Sequence, residues 1–514
     1  MQSTAKRALL GVAISLIVVG AVMGGIWNTV FDNILKSQLE LKNDSKSFTL
    51  WKETPIPMYI EFYMFSVINP DDVVKNKAKP ILMEMGPYVF RQKLALECGF
   101  QLKLNDDFHG IEVSYYCGPS EKHTKVNITW NVNQTITFNQ IRRYHYLPEK
   151  SNGSLDDKVT NLNTMSLVVS SMAKQFPGSL VSLLNIFLKK EGSVFITKTV
   201  RELLFDGYND KIIEWLLKLE HGLHLHFNIP FDKFGWFYMR NNSWSYDGVF
   251  NMLTGTGSIA HLGKMHSWNY YTKVPYYDGH CADVNGTAGE LWPPNENGEA
   301  ITMFVSDLCR SISLDYQEDS SVYGVTGRKF TGHREVVGNG TEYPDNKCFT
   351  RGTTYPSGVF DVSACKFGAP AYMSFPNFYL ADPYYAQQVV GMKPDKDKHE
   401  FQITLEPRTG IPLSVSGRLQ LNLHLHPEER VTLYESVPDV FMPMLWFSEN
   451  AAVTEDLADE IKVLLIVPIA GTGIFFGMLG LGAFLLLIFI LITLRGNWKG
   501  TEGSHLMGNG KEAS

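Results

Sequence analysis

The sequence predicts a β-rich α+β domain with one helical insertion, held between two membrane-spanning helices. Three observations carry this. An uncharged apolar run lies near each end, seven Asn-x-Ser/Thr acceptors and all six cysteines fall between the two runs, and strand-like segments there are interrupted once by helical spacing. The composition agrees: 44% hydrophobic and 12% aromatic residues with only 19% charged describe an ordered chain, with disorder expected only at its ends. A net charge of -7, from 53 acids against 46 bases, excludes a strongly basic nucleic-acid surface. At 514 residues the length suggests two or three domains, although large β architectures often exceed that scale as one.

The first run, residues 8–27 (ALLGVAISLIVVGAVMGGIW), has 20 residues without a charge. That suffices for a helix to cross a hydrocarbon core of about 30 Å at about 1.5 Å per residue. The competing reading is a cleaved signal peptide with Lys6 and Arg7 as its basic start, but the apolar part of such peptides is usually about 7 to 15 residues. The second run, residues 463–494, has 32 uncharged residues. It exceeds a bilayer, so it must tilt or project, and Pro468 marks the place where its outer end is expected to leave the regular span.

Lys6 and Arg7 precede the first span, and Arg495 and Lys499 follow the second. By the positive-inside rule, residues 1–7 and 495–514 are cytosolic and residues 28–462 lie outside the cytosol. The acceptors Asn43, Asn127, Asn133, Asn152, Asn241, Asn285 and Asn339 all fall in that outer part, as do the cysteines, which suits an oxidising compartment.

Within the outer part, WKETPIPMYIEFYMFSVINP and its neighbours up to residue 145 read as strands separated by turns. In LALECGFQLKLNDDFHGIEVSYYC the polar NDDFHG reads as a hairpin loop, with Cys98 and Cys117 at nearly equal distances from its middle. Opposed positions on antiparallel strands are about 4.5 to 5.5 Å apart at Cα, within disulfide reach, which predicts a Cys98–Cys117 bond.

Helical spacing appears over 162–190. Leu162, Met165, Val169, Met172 and Phe176 form one apolar stripe that Pro177-Gly178 ends, and SLVSLLNIFLKKEG follows, apolar almost all round. Such a helix must be buried or must offer its surplus face to something apolar. Strand-like runs then return from 225 to 445.

Candidate chemistry is sparse. Gly255-Thr-Gly257-Ser-Ile-Ala260 fits a dinucleotide-binding pattern but lacks a βαβ context, and reads as a turn. His224 and His226 share one strand face, as do His424 and His426; a metal or proton-sensitive site could be built from two such pairs, but ordinary strand histidines are the better explanation. No hydrolase motif is present. We therefore expect no enzyme, no catalytic residue, no cofactor and no metal.

Ten segments bring a family into view: PIPMYIEFYMFSVINPDD, MEMGPYVFR, VRELLFDGY, CADVNGTAGELWPP, FVSDLCRS, GVFDVSACKFGAP, MSFPNFYLAD, GMKPDKDKHE, LEPRTGIPL and RLQLN. The chain resembles the class B scavenger receptors, the family of fatty acid translocase and the lysosomal integral membrane protein, from the first span to the second. The resemblance implies a large antiparallel β-barrel-like luminal domain with an apical helical bundle, and an apolar tunnel from that cap toward the bilayer. Implied ligands are fatty acids, sterols, sterol esters, carotenoids or lipoproteins. It also implies the bonds Cys281–Cys348 and Cys309–Cys365, each closing a loop worth about 4 kcal/mol in the chain-entropy model. Thr350 stands where some members carry a further cysteine, so a third bond there is excluded.

Carried across, the helices at 162–190 are the cap, and Leu180, Leu184, Phe187, Lys189 and Lys190 its ligand-facing residues, with Glu191 interrupting the lysine cluster. The implied function is capture of lipid or lipid-bearing particles at the cap and passage of apolar lipid to the membrane. The alternative is a receptor or adhesion protein whose cap holds a protein ligand such as a lysosomal enzyme. The plasma membrane is the expected site. Glu502, Leu506 and Met507 resemble an acidic dileucine sorting signal, which gives the endosome or lysosome as the alternative. The cytosolic ends have no cysteine for palmitoylation. Gly473 and Gly477 allow close packing within one chain or in a homo-oligomer.

Overall fold

The structure, a computed structural model, describes residues 3–507 except 55, 94–96, 105–110, 119–123, 224–230, 296 and 351; the side chains of 3–4, 93–124, 221–230 and 496–507 also lie outside the description. The chain divides into two compact units: the terminal helices, and residues Glu40–Thr454.

The terminal unit consists of helices Ser3–Leu39 and Glu455–Met507. Their stretches Ala5–Leu39 and Glu455–Arg495 are long and apolar enough to cross a membrane. Small residues let them approach: a Cβ at Gly20 would come within 2.5 Å of the Leu479 amide nitrogen, and one at Gly482 within 2.8 Å of the Ala13 carbonyl. Trp27 packs against Phe475 at 5.4 Å. Gly473 and Gly477, by contrast, meet nothing within 4 Å, so the pair of spans does not use them. The second helix also runs unbroken through Pro468, where the sequence suggests a departure.

The outer unit is built on one large antiparallel sheet. Its strands lie in the order Ala300–Val305, Arg310–Val322, Val325–Thr331, Gln402–Leu405, Pro412–Leu425, Val440–Ala452, Met58–Val67, Leu82–Lys93 and Arg143–Tyr146. Two short strands off this path bring the sheet to 11. The ladder does not close: among the described residues its two edge strands are not paired with each other, so the structure has an open sheet where the resemblance implies a barrel-like closure.

The central strand shows why the sheet forms where it does. VFMPMLW, residues 440–446, is buried throughout, as expected of a strand covered on both faces. Pro443 is accommodated because the register shifts beside it, between Leu421 and Asn422 of the neighbouring strand, so the missing N–H falls at an irregularity. Phe62 lies opposite Phe447 and is fully enclosed, its ring 4.9 Å from Phe237 and 5.7 Å from Phe90.

A second sheet of four strands pairs Met265–Trp268, Val249–Leu253, Thr135–Ile141 and Thr124–Trp130 in that order. A separate hairpin, Glu97–Leu104 with Ile111–Gly118, places Cys98 directly opposite Cys117 in register. The loop between these strands lies outside the described residues. The 255–260 segment is a turn leading into a single 3₁₀ turn, with Gly255 and Gly257 at positive φ.

The helical insertion has a definite neck. Strands Lys158–Leu162 and Phe195–Thr199 pair so that Leu162 faces Phe195, which brings the two ends of the intervening segment together. Asn163 then caps the helix Thr164–Ser171 by accepting from the Ser166 amide, and its own amide donates to the Val194 carbonyl. A 3₁₀ turn at Met172–Gln175 follows, and the helix Gly178–Glu191 starts after Pro177. A third helix, Lys211–Leu223, joins them, beyond the insertion at 162–190 that the sequence predicts.

Candidate functional site

The helix Gly178–Glu191 buries one face and leaves another free. Leu180, Val181, Leu184 and Leu188 point into the core, Leu184 being fully enclosed. Phe187 is partly covered and stacks on Trp215 of the third helix at 4.9 Å. The apolar residues on the outside are Leu183, 47% exposed, and Ile186, 69% exposed, one turn apart on the same face. Leu180 and Leu184 thus belong to packing, and a ligand approaching this helix from solvent meets Leu183 and Ile186 instead.

The charges beside that face are arranged by the helix end. Lys189 and Lys190 occupy its last turn, where the C-terminal dipole favours cations. Glu191 forms a short ion pair with Lys211 and lies 3.7 Å from Lys190. The hydrogen bond from Lys211 holds the Glu191 carboxyl below the usual carboxylate range and raises Lys211 in turn. The interruption expected at Glu191 is therefore a local neutralisation of two lysines.

The loop between the strands Pro412–Leu425 and Val440–Ala452 holds these helices. Arg430 Nη1 donates to the carbonyls of Ala173 and Lys174 at 2.7 and 3.1 Å, and Nη2 to that of Phe176 at 3.0 Å. Asn185 donates to the Arg430 carbonyl and accepts from the Thr432 amide. These contacts satisfy carbonyls left open where the short helix ends.

Below the helical insertion the interior is aromatic, then ionic. Phe205 packs between Phe62, Phe90 and Phe237, with Tyr144 at 4.7 Å. Beside it, Arg142 lies 3.0 Å from Asp247 and 3.2 Å from Glu449, while Arg240 reaches both Asp247 and Asp307 at 3.0 Å. Lys125 pairs with Glu290 at 2.5 Å; burial pushes its ammonium down and Glu290 opposes the shift. This network links the four-stranded sheet to the large one, and nothing in the sequence order announces it.

Cys281 is bonded to Cys348 and Cys309 to Cys365, with Cα separations of 5.8 and 6.4 Å. His280 lies 3.6 Å from the Cys348 sulfur, but the disulfide leaves no thiolate there to bind a metal. Asn43, Asn127, Asn133, Asn152, Asn241 and Asn285 are exposed. Asn339 is half-buried and its amide donates to the Tyr355 carbonyl. His424 and His426 stack at 5.0 Å, and His424 Nε2 lies 2.7 Å from Asp439. His224 and His226, and the side chains of Cys98, Cys117, Glu502, Leu506 and Met507, lie outside the described residues.

An outer unit with a large sheet and a helical insertion, flanked by two apolar terminal helices, defines a membrane protein with a span at each end. The CD36 family model matches residues 10–102 and 118–493, and the chain belongs to that family. It is similar to protein peste of Drosophila melanogaster, 35% identical over 91% of this chain and 79% of the relative. It is 32% identical to mouse scavenger receptor class B member 1, over 97% of this chain and 92% of the relative. Rat lysosome membrane protein 2 is 28% identical, covering 93% of this chain and 92% of its own.

Proposed function

We propose that the protein is a two-span receptor that captures lipids or lipid-bearing particles on its helical insertion and passes apolar lipid through its outer unit to the membrane. The observation that carries the capture half is the exposed pair Leu183 and Ile186 beside Lys189 and Lys190. An apolar strip next to cations suits an amphiphile with an anionic rim. The passage half is supported by the aromatic interior around Phe205 and Phe237, because each CH₂ kept from water is worth about 0.8 kcal/mol. The ligand class is that of the family: fatty acids, sterols, sterol esters, carotenoids or lipoproteins. Membership of a receptor family and the absence of any hydrolase motif support a function without catalysis.

The test is the full-length chain reconstituted in liposomes, with labelled sterol ester offered in lipoprotein-like particles. Ile186→Asp should reduce both particle capture and transfer several-fold, and capture equal to wild type overturns the reading. A second reading is favoured by the same exposed pair, which equally suits an apolar protein surface: a protein ligand such as a lysosomal enzyme docks there. In that case Ile186→Asp abolishes protein capture and leaves lipid transfer intact. The plasma membrane is the proposed residence, with the endosome or lysosome as the alternative carried by residues 502–507.

A further inference from the structure

Arg310 opens the strand Arg310–Val322 directly after Cys309, and only 4% of it is exposed. Its guanidinium carbon lies 3.4 Å from the centroid of the Phe349 ring and 4.9 Å from that of Phe360. Among the described residues no carboxylate or carbonyl accepts from it, and its Nε is buried without a partner. Arg240, equally buried, and Arg142, half-buried, each meet two carboxylates, although their Nε atoms likewise lack a hydrogen bond; Arg310 differs in having no carboxylate beside it among the described residues. Burying a guanidinium with unmet donors is costly, and an acceptor that enters from solvent offsets that cost. Burial pushes Arg310 down to about 10, which still leaves it cationic at neutral pH.

The same side chain lines a small cleft open to solvent, whose other walls include Asn339, Thr350, Tyr355, Asp361 and Tyr372. Its two key residues are held by the disulfides. Arg310 follows Cys309, bonded to Cys365, and Phe349 follows Cys348, bonded to Cys281. The cation and the ring on which it lies are thus fixed before any ligand arrives, which lowers the entropy lost on binding. Asp361 accepts from the Ser363 amide, and its negative charge in the wall works against a dianion. A planar carboxylate matches the fork of N–H groups and brings a single charge.

We propose that this cleft binds a carboxylate, held by the Arg310 guanidinium between Phe349 and Phe360, as a site separate from the helical insertion. It does not depend on lipid capture or passage. The carboxylate could belong to a small organic acid or to a free fatty acid, and the two are distinguished by the probes.

The full-length chain in neutral detergent is titrated with benzoate, with dodecanoate and with the neutral benzamide, following the melting temperature and heat of binding. Benzoate and dodecanoate should both raise the melting temperature, with benzamide at least tenfold weaker than benzoate. Binding of both acids shows that the headgroup suffices; binding of dodecanoate alone assigns the site to fatty acids. Arg310→Gln should lose at least tenfold for whichever acid binds. Should that variant fold poorly, Tyr372→Phe and Thr350→Val, which keep the cation, should retain the preference of acid over amide. The proposal is overturned if neither acid binds, if benzamide binds as well as benzoate, if folded Arg310→Gln binds the acids like wild type, or if inorganic phosphate displaces them at equal concentration.

Discussion

Asp247 sits between the buried Arg240 and the half-buried Arg142, one oxygen 3.0 Å from Arg240 Nη2 and the other 3.0 Å from Arg142 Nε, with the Asp247 and Arg240 side chains 4% and 3% exposed. Asp307 and Glu449 still meet the two arginines when Asp247 is removed, so what is lost is one charged hydrogen-bond partner for each rather than the whole neutralisation. Asp247→Ala is therefore expected to lower stability by about 1–3 kcal/mol, read from denaturant midpoints of the outer unit's unfolding. A loss within experimental error would show that water replaces the carboxylate.

Ile186 and Leu184 lie two residues apart on one helix and should respond oppositely. Ile186→Asp changes an exposed position and should alter stability by no more than about 0.5 kcal/mol while reducing capture. Leu184→Asp buries a carboxylate with no partner and should abolish the folded protein, seen as lost surface delivery and loss of the melting transition. Equal melting temperatures for the two variants would contradict the helix orientation.

Glu191 neutralises Lys211 and Lys190. Glu191→Gln should leave three cations, with Lys189, facing solvent, and strengthen binding to anionic vesicles several-fold at low salt. The gain should fade toward 0.5 M salt, where the screening length is only a few ångströms. Unchanged vesicle binding would place anion capture elsewhere.

His424 and His399 are both pushed below the ordinary histidine value, chiefly by burial. Asp439 beside His424, and Glu84 and Asp395 near His399, oppose the shift, whereas His426 adds to the first and Arg418 and Lys398 to the second. A base with a depressed folded value binds its proton first in the unfolded chain. The stability it contributes is present above pH 6.5 and is lost as pH falls below that toward the depressed values. Melting temperature should therefore fall on acidification from 7 to 5, and His424→Gln should fall less. An identical slope in both would remove His424 from the effect.

Cys98 and Cys117 are register partners in the hairpin Glu97–Leu104 with Ile111–Gly118. Non-reducing peptide mapping should recover them in one linked peptide, separate from Cys281–Cys348 and Cys309–Cys365. Free thiols, or a different pairing, would contradict this.

The two spans, the outer part and its β-rich character were legible because they depend on local composition: uncharged runs, acceptor motifs and alternating apolar residues. The helix Lys211–Leu223 was missed although Ile212, Ile213 and Leu216, all buried, follow helical spacing in KIIEWLLKLEHGL. The apolar surplus of SLVSLLNIFLKKEG was visible, but which of its leucines face out was not. Leu183 and Leu184 are adjacent and chemically identical; only the position of the core relative to the helix axis separates them.

Sequence by itself determined where this chain meets apolar solvent, which part carries glycan acceptors and disulfides, and which family it resembles, because each follows from residue type along a short stretch. Tertiary structure alone decided that Arg142, Arg240, Asp247, Asp307 and Glu449 neutralise one another while Arg310 lies against aromatic faces with no carboxylate beside it among the described residues. Charge balance inside a protein is set by distances of a few ångströms between residues hundreds of positions apart, and a linear chain does not contain those distances until it folds.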